Sequence, residues 1–569
     1  GLDNSQGSLN FNDATLVIGS GGANASSTDD FIFNTNDAVK HVILNKTEGI
    51  TTVSEGHLGI TETLKLESGT LTAGDKITLL NPNENEVAYV IESTSGSANV
   101  SVEKYYTAKR SFRFVASPVD GGSIFENWQE DGNAPGGFGT HITGSTAGEN
   151  GLDATETGNP SLFDYDNVSQ NWSAVTNTNV ENLVTGKAYR LYVRGDRNID
   201  LTNNDAENET TLRATGSLKV GTVLVDNLGE TENDFSFIGN PYQATVDVSS
   251  ITFNNVNDDY YWVWDPNMND DGSYVVVDLS DGSNAGTSQA NQYLQPGQAA
   301  FVRTSANGPA SVTFTEASKN VDQLSNAVFS NSEKPKLNLR LYESSVLQNG
   351  EMEFDAIGIR FSSNWTNEVD HQDARKMGNP AENLARLNGD DFLSIEKREM
   401  PQDGEELNLA IYNYEHSNYT FEADLSNFSE NIVVYLNDSY TGSQSVLENG
   451  INHIDFTVDA SIPESVEMLR FTLSFENTTL GTSNENFENF SVYPNPVTNQ
   501  EFTIQTSRMS GEDVSLKLFN ISGQSVMNQK LKIGDDGRLN IQTNGLSAGI
   551  YILELTQAQQ TFKEKLIIK

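Results

Sequence analysis

Apolar residues in this chain recur at every second position in short runs, and almost nowhere at helical spacing. In Thr61–Asn81, Leu64 and Leu66 alternate with polar neighbours, followed by Leu71 and then by Ile77 and Leu79. Such alternation puts every second side chain on one face of a strand, whereas a helix needs a period near 3.6. Strands of this kind, separated by Gly, Asn and Asp turns, fill residues 1–104. They fit a β-solenoid-like region or a stack of hairpins, with the solenoid preferred although no fixed repeat length is visible.

Residues 105–318 read as a duplication, with halves at about 105–230 and 231–318. Phe112–Val119 (FRFVASPV) returns as Phe235–Tyr242 (FSFIGNPY). Leu162–Val175 answers to Tyr261–Val277, and Leu183–Gly195 to Leu294–Ser305. Three matches in one order predict two related β units packed as one superdomain. Over 336–477 the alternating runs lengthen and predict a β-sandwich, jelly-roll-like, with one helical piece at Ala381–Gly389. Residues 478–489 are polar and aperiodic, a linker. Phe490–Lys569 reads as a seven-strand Ig-like sandwich. The expected class is all-β and multidomain.

Charge sharpens this division. The chain of 569 residues holds 79 acidic and 34 basic side chains, a net charge of −45. Phe490–Lys569 carries eight basic and seven acidic residues, so a module near +1 follows a body near −46. That excess disfavours nucleic acid as a partner, because phosphate neutralisation by cations supplies most such affinity. There is no cysteine, which removes disulfides, thiolate metal sites and a cysteine nucleophile. No apolar stretch is long enough for a transmembrane helix. The chain begins GLDNSQGSLNF without Met, and is read as a fragment or mature form whose export signal, if any, lies upstream of Gly1.

Candidate chemistry is sparse. The six histidines, His41, His57, His141, His371, His416 and His453, never fall within a turn of one another, so no zinc-helix motif exists. Asp370–Asp373 (DHQD) reads as a solvated loop around His371, and Gly136–Gly144 as a wide loop. There is no nucleophile elbow and no phosphate-cradling glycine loop. Asp265, Asn267, Asn269 and Asp271 in DPNMNDDG form a calcium candidate. Glycine stands eighth there rather than sixth, however, and a hairpin turn is the preferred reading. No other cofactor is expected. Trp128, Trp172, Trp262, Trp264 and Trp365 could stack on sugars, but Trp172 and Trp264 lie in the duplicated strands, which points to a core. No catalytic constellation stands out, and the chain is expected not to be an enzyme.

The C-terminal segment carries VYPNPV (Val492–Val497), then VSLKLFNISGQSV (Val514–Val526), LSAGIYILEL (Leu546–Leu555) and TFKEKLIIK (Thr561–Lys569). In this combination and order it resembles the type A C-terminal sorting domain of the Bacteroidota type IX secretion system. The signal residues would be Tyr493, Pro494, Asn495, Pro496, Gly523, Gly549, Tyr551, Lys563, Lys565 and Lys569. Physically, Pro494 and Pro496 stiffen the lead-in, Ser522-Gly523 turns a hairpin and Gly549 permits a tight turn. Tyr551, Leu553 and Leu555 then alternate inward, while Lys563 and Lys565 share the face opposite Phe562 and Leu566.

The resemblance implies Sec export to the periplasm, and recognition by the type IX translocon and its outer-membrane shuttle barrel. It also implies removal by a sortase-like surface protease in the 476–489 stretch, then release or attachment to surface lipopolysaccharide. The middle of the chain, about 105–480, is similar to modules of large flavobacterial cell-surface proteins. The resulting expectation is an exported, adhesin-like stalk or surface-matrix protein, with glycans as possible partners. The alternative is the accessory or carbohydrate-binding portion of a larger polysaccharide-acting enzyme.

Overall fold

A computed structural model describes residues 2–3, 15–19, 29–33, 37–203, 205–269, 271–320, 334–429, 431–477, 490–506, 513–520, 523–534, 536–557 and 560–569. The linker 478–489 lies outside them, as do Asp270, Ser522 and the side chain of Phe562. Two compact units are present: Gly1–Ser429 with Val433–Glu476, and Glu430–Ile432 with Asn477–Lys569.

The first unit begins with parallel coils. Strand Asp37–Glu55 pairs in parallel with Thr15–Ile18 on one side and Leu58–Leu79 on the other, which pairs in turn with Tyr89–Val90 and Ser97–Tyr106. Leu16, Val42, Leu64 and Val90 are stacked partners. The last three are fully buried, as are Leu44 and Leu66 in the neighbouring column. This stacking of like side chains is what the alternation encodes, and it makes the region solenoid-like. An open solenoid end would expose a row of unpaired backbone groups. Here Thr210–Leu218, from far along the chain, pairs antiparallel with Ser97–Tyr106 and covers it.

The duplication is explicit in the sheets. In the first half, β1 (Ser111–Ala116), β2 (Leu162–Asp166), β3 (Asn171–Ala174) and β4 (Ala188–Val193) lie in the order β3-β2-β4-β1. In the second, β5 (Phe235–Gly239), β6 (Tyr260–Asp265), β7 (Ser273–Asp278) and β8 (Ala299–Arg303) lie in the same order, β7-β6-β8-β5, with one short strand added. Register fixes the equivalences: Tyr165 opposes Trp172 as Trp264 opposes Tyr274. Arg190 opposes Phe114 as Phe301 opposes Phe237.

The two sheets meet face to face about a pseudo-two-fold axis, because contacts come in exchanged pairs. Phe114 and Phe237 pack edge to face at 4.7 Å. Phe114 reaches Trp264 and Tyr274 of the other half at 5.7 and 5.8 Å, and Phe237 reaches Tyr165 and Trp172 at 6.5 and 5.3 Å. The backbone obeys the same exchange: Ala116 N–H donates to Gly297 C=O and Gly239 N–H to Gly186 C=O, both at 3.0 Å. Gly186 and Gly297 both have left-handed φ, +72° and +73°, as tight turns at these points require.

Residues 336–477 form an eleven-stranded sheet that folds over itself as a sandwich. Phe421 and Phe456, from Asn418–Ser426 and Gly450–Thr457, meet Phe471 of the strand Phe471–Asn477 at 5.0 and 4.8 Å. The helix expected at Ala381–Gly389 is instead a strand, Asn383–Asn388, hydrogen-bonded on both sides. Ala, Leu and Arg favour helix in isolation, but a position between two strands overrides so weak a preference. Arg386 is buried there against Glu396 at 2.8 Å. The helix that does form is α1 (Ser344–Asn349), capped by the Glu343 carboxylate and ended by left-handed Gly350.

The sandwich and the duplicated sheets are bonded across their boundary rather than strung apart. Tyr260 Oη donates to Gln372 O (2.6 Å), Trp262 Nε1 to Arg375 O (3.1 Å), and Lys397 pairs with Asp278 at 2.9 Å. The solenoid-like coils join too, through Val90 N–H to Gln243 O at 2.6 Å.

Arg470 shows how the sandwich handles buried charge. It is 1% exposed, forks onto Asp438 at 2.8 and 2.6 Å, and donates to the carbonyls of Thr457 and Ser465. Removing one partner strands the other, so Arg470→Met is expected to cost about 3–5 kcal/mol in denaturant unfolding. Burial raises the Asp438 carboxyl, but hydrogen bonds from Arg470 and Thr441 outweigh it, and its pKa is lowered. The pair's contribution is therefore full above the ordinary carboxylate pKa and fades as pH falls through the lowered one. The stability gap between wild type and Arg470→Met should shrink below about pH 4; a gap independent of pH would contradict this assignment.

Candidate functional site

The second unit is built from β9 (Phe490–Tyr493), β10 (Glu501–Thr506), β11 (Asp513–Asn520), β12 (Ser525–Lys532), β13 (Arg538–Gln542), β14 (Gly549–Gln557) and β15 (Gln560–Ile568). They form sheets β9-β10-β13 and β12-β11-β14-β15, the expected seven-strand sandwich. Val497, Phe502, Ile504, Leu516, Leu518 and Leu553 lie at the centre of its core.

β9 stops at Tyr493, directly before the Pro-Asn-Pro stretch; both Xaa-Pro bonds, Tyr493-Pro494 and Asn495-Pro496, are cis. Neither proline has an N–H to offer. Asn495 between them presents a flat amide with one donor and one acceptor side, matching a strand's edge. Its Nδ2 donates to Lys565 O at 2.6 Å and its Oδ1 accepts from Ile567 N–H at 3.0 Å. Two residues on, Val497 N–H donates to Ile567 O (2.7 Å) and Lys569 N–H to Val497 O (2.9 Å). The motif at the start of the domain therefore clasps the outer edge of its last strand, from Lys565 to Lys569. An unclasped edge would template pairing with other chains.

The other residues expected to form the signal divide. Tyr493 Oη donates to Gln505 Oε1 at 2.8 Å, at the surface. Tyr551 is buried and its Oη donates to Ser547 O at 2.8 Å, which ties the LSAG turn to β14. Leu553 and Leu555 alternate inward with it, as expected. Gly523 has φ +76° in the β11–β12 turn. Gly549 does not make the tight turn assigned to it: it is the first residue of β14, outside the left-handed region, and the left-handed residue is Gly545 at φ +84°. Lys563, Lys565 and Lys569 are exposed, while Leu566 and Ile568 point into the core. Lys563 Nζ lies 3.2 Å from Glu554. On this outer face Ile550 and Ile552 are bare, 43% and 40% exposed. Val497 and Gly545 were not singled out from the sequence. The apolar residue closing VYPNPV was the available signal for the first.

Candidates in the body do not assemble a reactive site. Asp265 and Ser273 end the two strands of a hairpin, so the calcium candidate is its turn. Asp265 accepts from Asn267 N–H (2.9 Å) and Ser288 Oγ (2.6 Å), while Asn269 Nδ2 donates away to buried Glu382 at 3.2 Å. Among the described residues no three His, Asp or Glu side chains are grouped to hold a metal ion. His371 is exposed, 4.0 Å from Asp370. His141 lies 3.3 Å from Asp153, which Arg197 grips at 2.9 and 3.0 Å. Burial works to raise that carboxyl, but its bonds to His141 and Arg197 prevail and hold it well below the usual range. Trp128, Trp262 and Trp264 are buried, and Trp172 packs within the seam at 5.3 Å from Phe237. No helix among the described residues is long and apolar enough to cross a membrane.

Residues 491–569, which form this sandwich, match the family model of the secretion system C-terminal sorting domain. The protein is a cargo of the Bacteroidota type IX secretion system, exported to the cell surface or secreted. The body matches a second model over residues 16–463, and the chain belongs to that family, a domain of unknown function (DUF8693). Among curated proteins none matches.

Solved structures give partial likenesses. A DUF3244 family protein with an immunoglobulin-like β-sandwich fold from Bacteroides vulgatus is 13% identical, covering 14% of this chain and 83% of that one at a TM-score of 0.13. The β-glucuronidase of Faecalibacterium prausnitzii is 9% identical over 34% of this chain and 47% of its own, at 0.11. That of Ruminococcus gnavus is 12% identical over 36% and 47%, at 0.12. The chain spans less than half the length of these two enzymes.

Proposed function

We propose that the body is a non-enzymatic surface protein, an adhesin-like stalk or matrix component, delivered by its C-terminal domain. One observation carries the reading: three buried carboxylates, of the sort an acid–base pair would use, are held by side chains of the sandwich itself. Glu382 is held by His416 (2.8 Å) and Tyr419 (2.9 Å), Asp355 by Lys376 at 2.5 Å, and Glu396 by Arg386 and Arg398. Each of these carboxylates has a hydrogen-bonded partner of the kind that lets a buried charge persist as a structural ion pair. The net charge of −45 keeps such a surface protein soluble and repels like-charged neighbours.

In this reading the translocon and shuttle barrel recognise the folded signal after Sec export through the periplasm. A sortase-like protease then cleaves within the linker, leaving the body released or joined to lipopolysaccharide. Fusion of residues 490–569 to a Sec-exported fluorescent protein tests delivery: the label should reach the surface or medium, and retention in the periplasm of a secretion-competent host would sink it. A deletion strain should adhere less than its parent; equal adhesion argues against the adhesin role. Specific hits on a glycan array with the body would favour a carbohydrate-binding accessory instead.

A further inference from the structure

The pseudo-two-fold axis relates two grooves, the first bordered by both halves and the second lined by the second half alone. Each is walled by the end of β2 or β6 with its turn, and by the turn before β4 or β8. Asp166 and Lys187 in the first correspond to Asp265 and Gln298 in the second.

In the second half the chain furnishes its own wall. Residues 279–298 connect β7 to β8, seven more than the 175–187 connection of the first half, and part of the excess lies along the groove as Ser288–Asn291. Ser288 Oγ donates to Asp265 Oδ2 at 2.6 Å, and Tyr261 Oη donates to Asn291 O. About 210 Å³ of open space remains.

In the first half no such segment exists and the groove opens to about 680 Å³. Asp166 keeps the turn of its counterpart: its Oδ1 accepts from Val168 N–H at 2.9 Å, as Asp265 Oδ1 accepts from Asn267 N–H at 2.9 Å. Among the described residues its hydrogen bonds come from its own turn. Apolar side chains on the walls stand bare: Val168 is 75% exposed, Val184 48% and Leu224 58%. Leu224 lies on Val223–Val225, the edge strand of a three-stranded sheet. Asp164, Asp166 and Asp226 rim the groove against Lys187 alone, whose amine is already held by Asp164 (3.1 Å) and Glu181 (2.6 Å).

We propose that the first-half groove binds an extended polypeptide segment of another molecule, rich in hydroxyl and amide groups and neutral to basic. The second half shows the polar part of this chemistry with its own chain, a hydroxyl on the Asp265 carboxylate and a main-chain carbonyl on Tyr261. The incoming main chain adds to the open edge at Val223–Val225, its apolar side chains cover Val184 and Leu224, and a hydroxyl reaches Asp166. The acidic rim selects against acidic segments.

The test uses the intact chain and a labelled peptide of the sequence of Gly286–Leu294 with a lysine added at each end, followed by fluorescence anisotropy. Saturable binding is expected, weakened about tenfold or more by Leu224→Asp, since burying one such side chain accounts for a factor of that size. Leu224 is a surface residue, and an unchanged melting temperature shows that the variant folds. The same peptide flanked by glutamates should bind about fivefold more weakly at low salt, the difference closing near 0.5 M salt. No binding at about 1 mM, equal binding by Leu224→Asp, or equal binding of the glutamate-flanked peptide would each overturn the proposal. So would displacement of the peptide by a neutral oligosaccharide with higher affinity.

Discussion

Val497→Asp is expected to abolish export of the protein. Val497 is fully buried, and its backbone makes two of the bonds that hold the last strand. An ionised carboxylate there has no partner, and its desolvation costs several kcal/mol. A domain of this size has a stability of only about 5 kcal/mol to lose. Asn495→Ala is the graded companion. It deletes two side-chain bonds at an exposed site, a loss of about 1–2 kcal/mol, and uncovers the strand edge without filling the core with charge. The measurement is the fraction of cargo at the surface or in the medium, beside the melting temperature of residues 490–569 alone. Export should fall partly for Asn495→Ala and completely for Val497→Asp. Wild-type export of an unfolded Val497→Asp domain would mean that a linear motif, not a folded clasp, is read.

The clasp also marks where sequence reasoning stops. VYPNPV is conspicuous as a string, and the stiffness of its prolines follows from their chemistry. That Asn495 bonds the chain 70 residues later follows from nothing local. The all-β class, by contrast, is written in the alternation itself, which survives because each strand must present one face to a core. The duplication shows for a related reason: a seam built from Phe114, Phe237, Tyr165 and Trp264 keeps aromatic residues at matching places in both halves. The solenoid period stays hidden because its coils differ in length. Val42 stacks on Leu64 after 22 residues and Leu64 on Val90 after 26, the corners absorbing the difference. At Ala381–Gly389 local preference pointed to helix and the two flanking strands prevailed. Gly549 drew attention as a turn residue because Gly545, four positions earlier, lacks the motif spacing.

Phe237→Ala is expected to destabilise the body by about 3–5 kcal/mol, the usual cost of emptying a phenylalanine site in a packed core. The ring is 6% exposed, stacks on Phe301 at 4.6 Å and meets Phe114 and Trp172 of the other half at 4.7 and 5.3 Å. Its truncation therefore opens a cavity on the axis itself, where neither sheet can relax without parting from the other. Phe114→Ala should behave alike, since it is the same residue under the pseudo-symmetry. The two changes should be non-additive by about 0.5–1.5 kcal/mol, the coupling of an edge-to-face pair. Denaturant unfolding of residues 1–476 gives both numbers. Because the coils, the duplicated sheets and the sandwich are bonded across each boundary, the loss should shift one cooperative transition. If Phe237→Ala instead splits the curve, with the sandwich melting at its wild-type midpoint, the seam holds only the two halves, and the body is a string of independent domains after all.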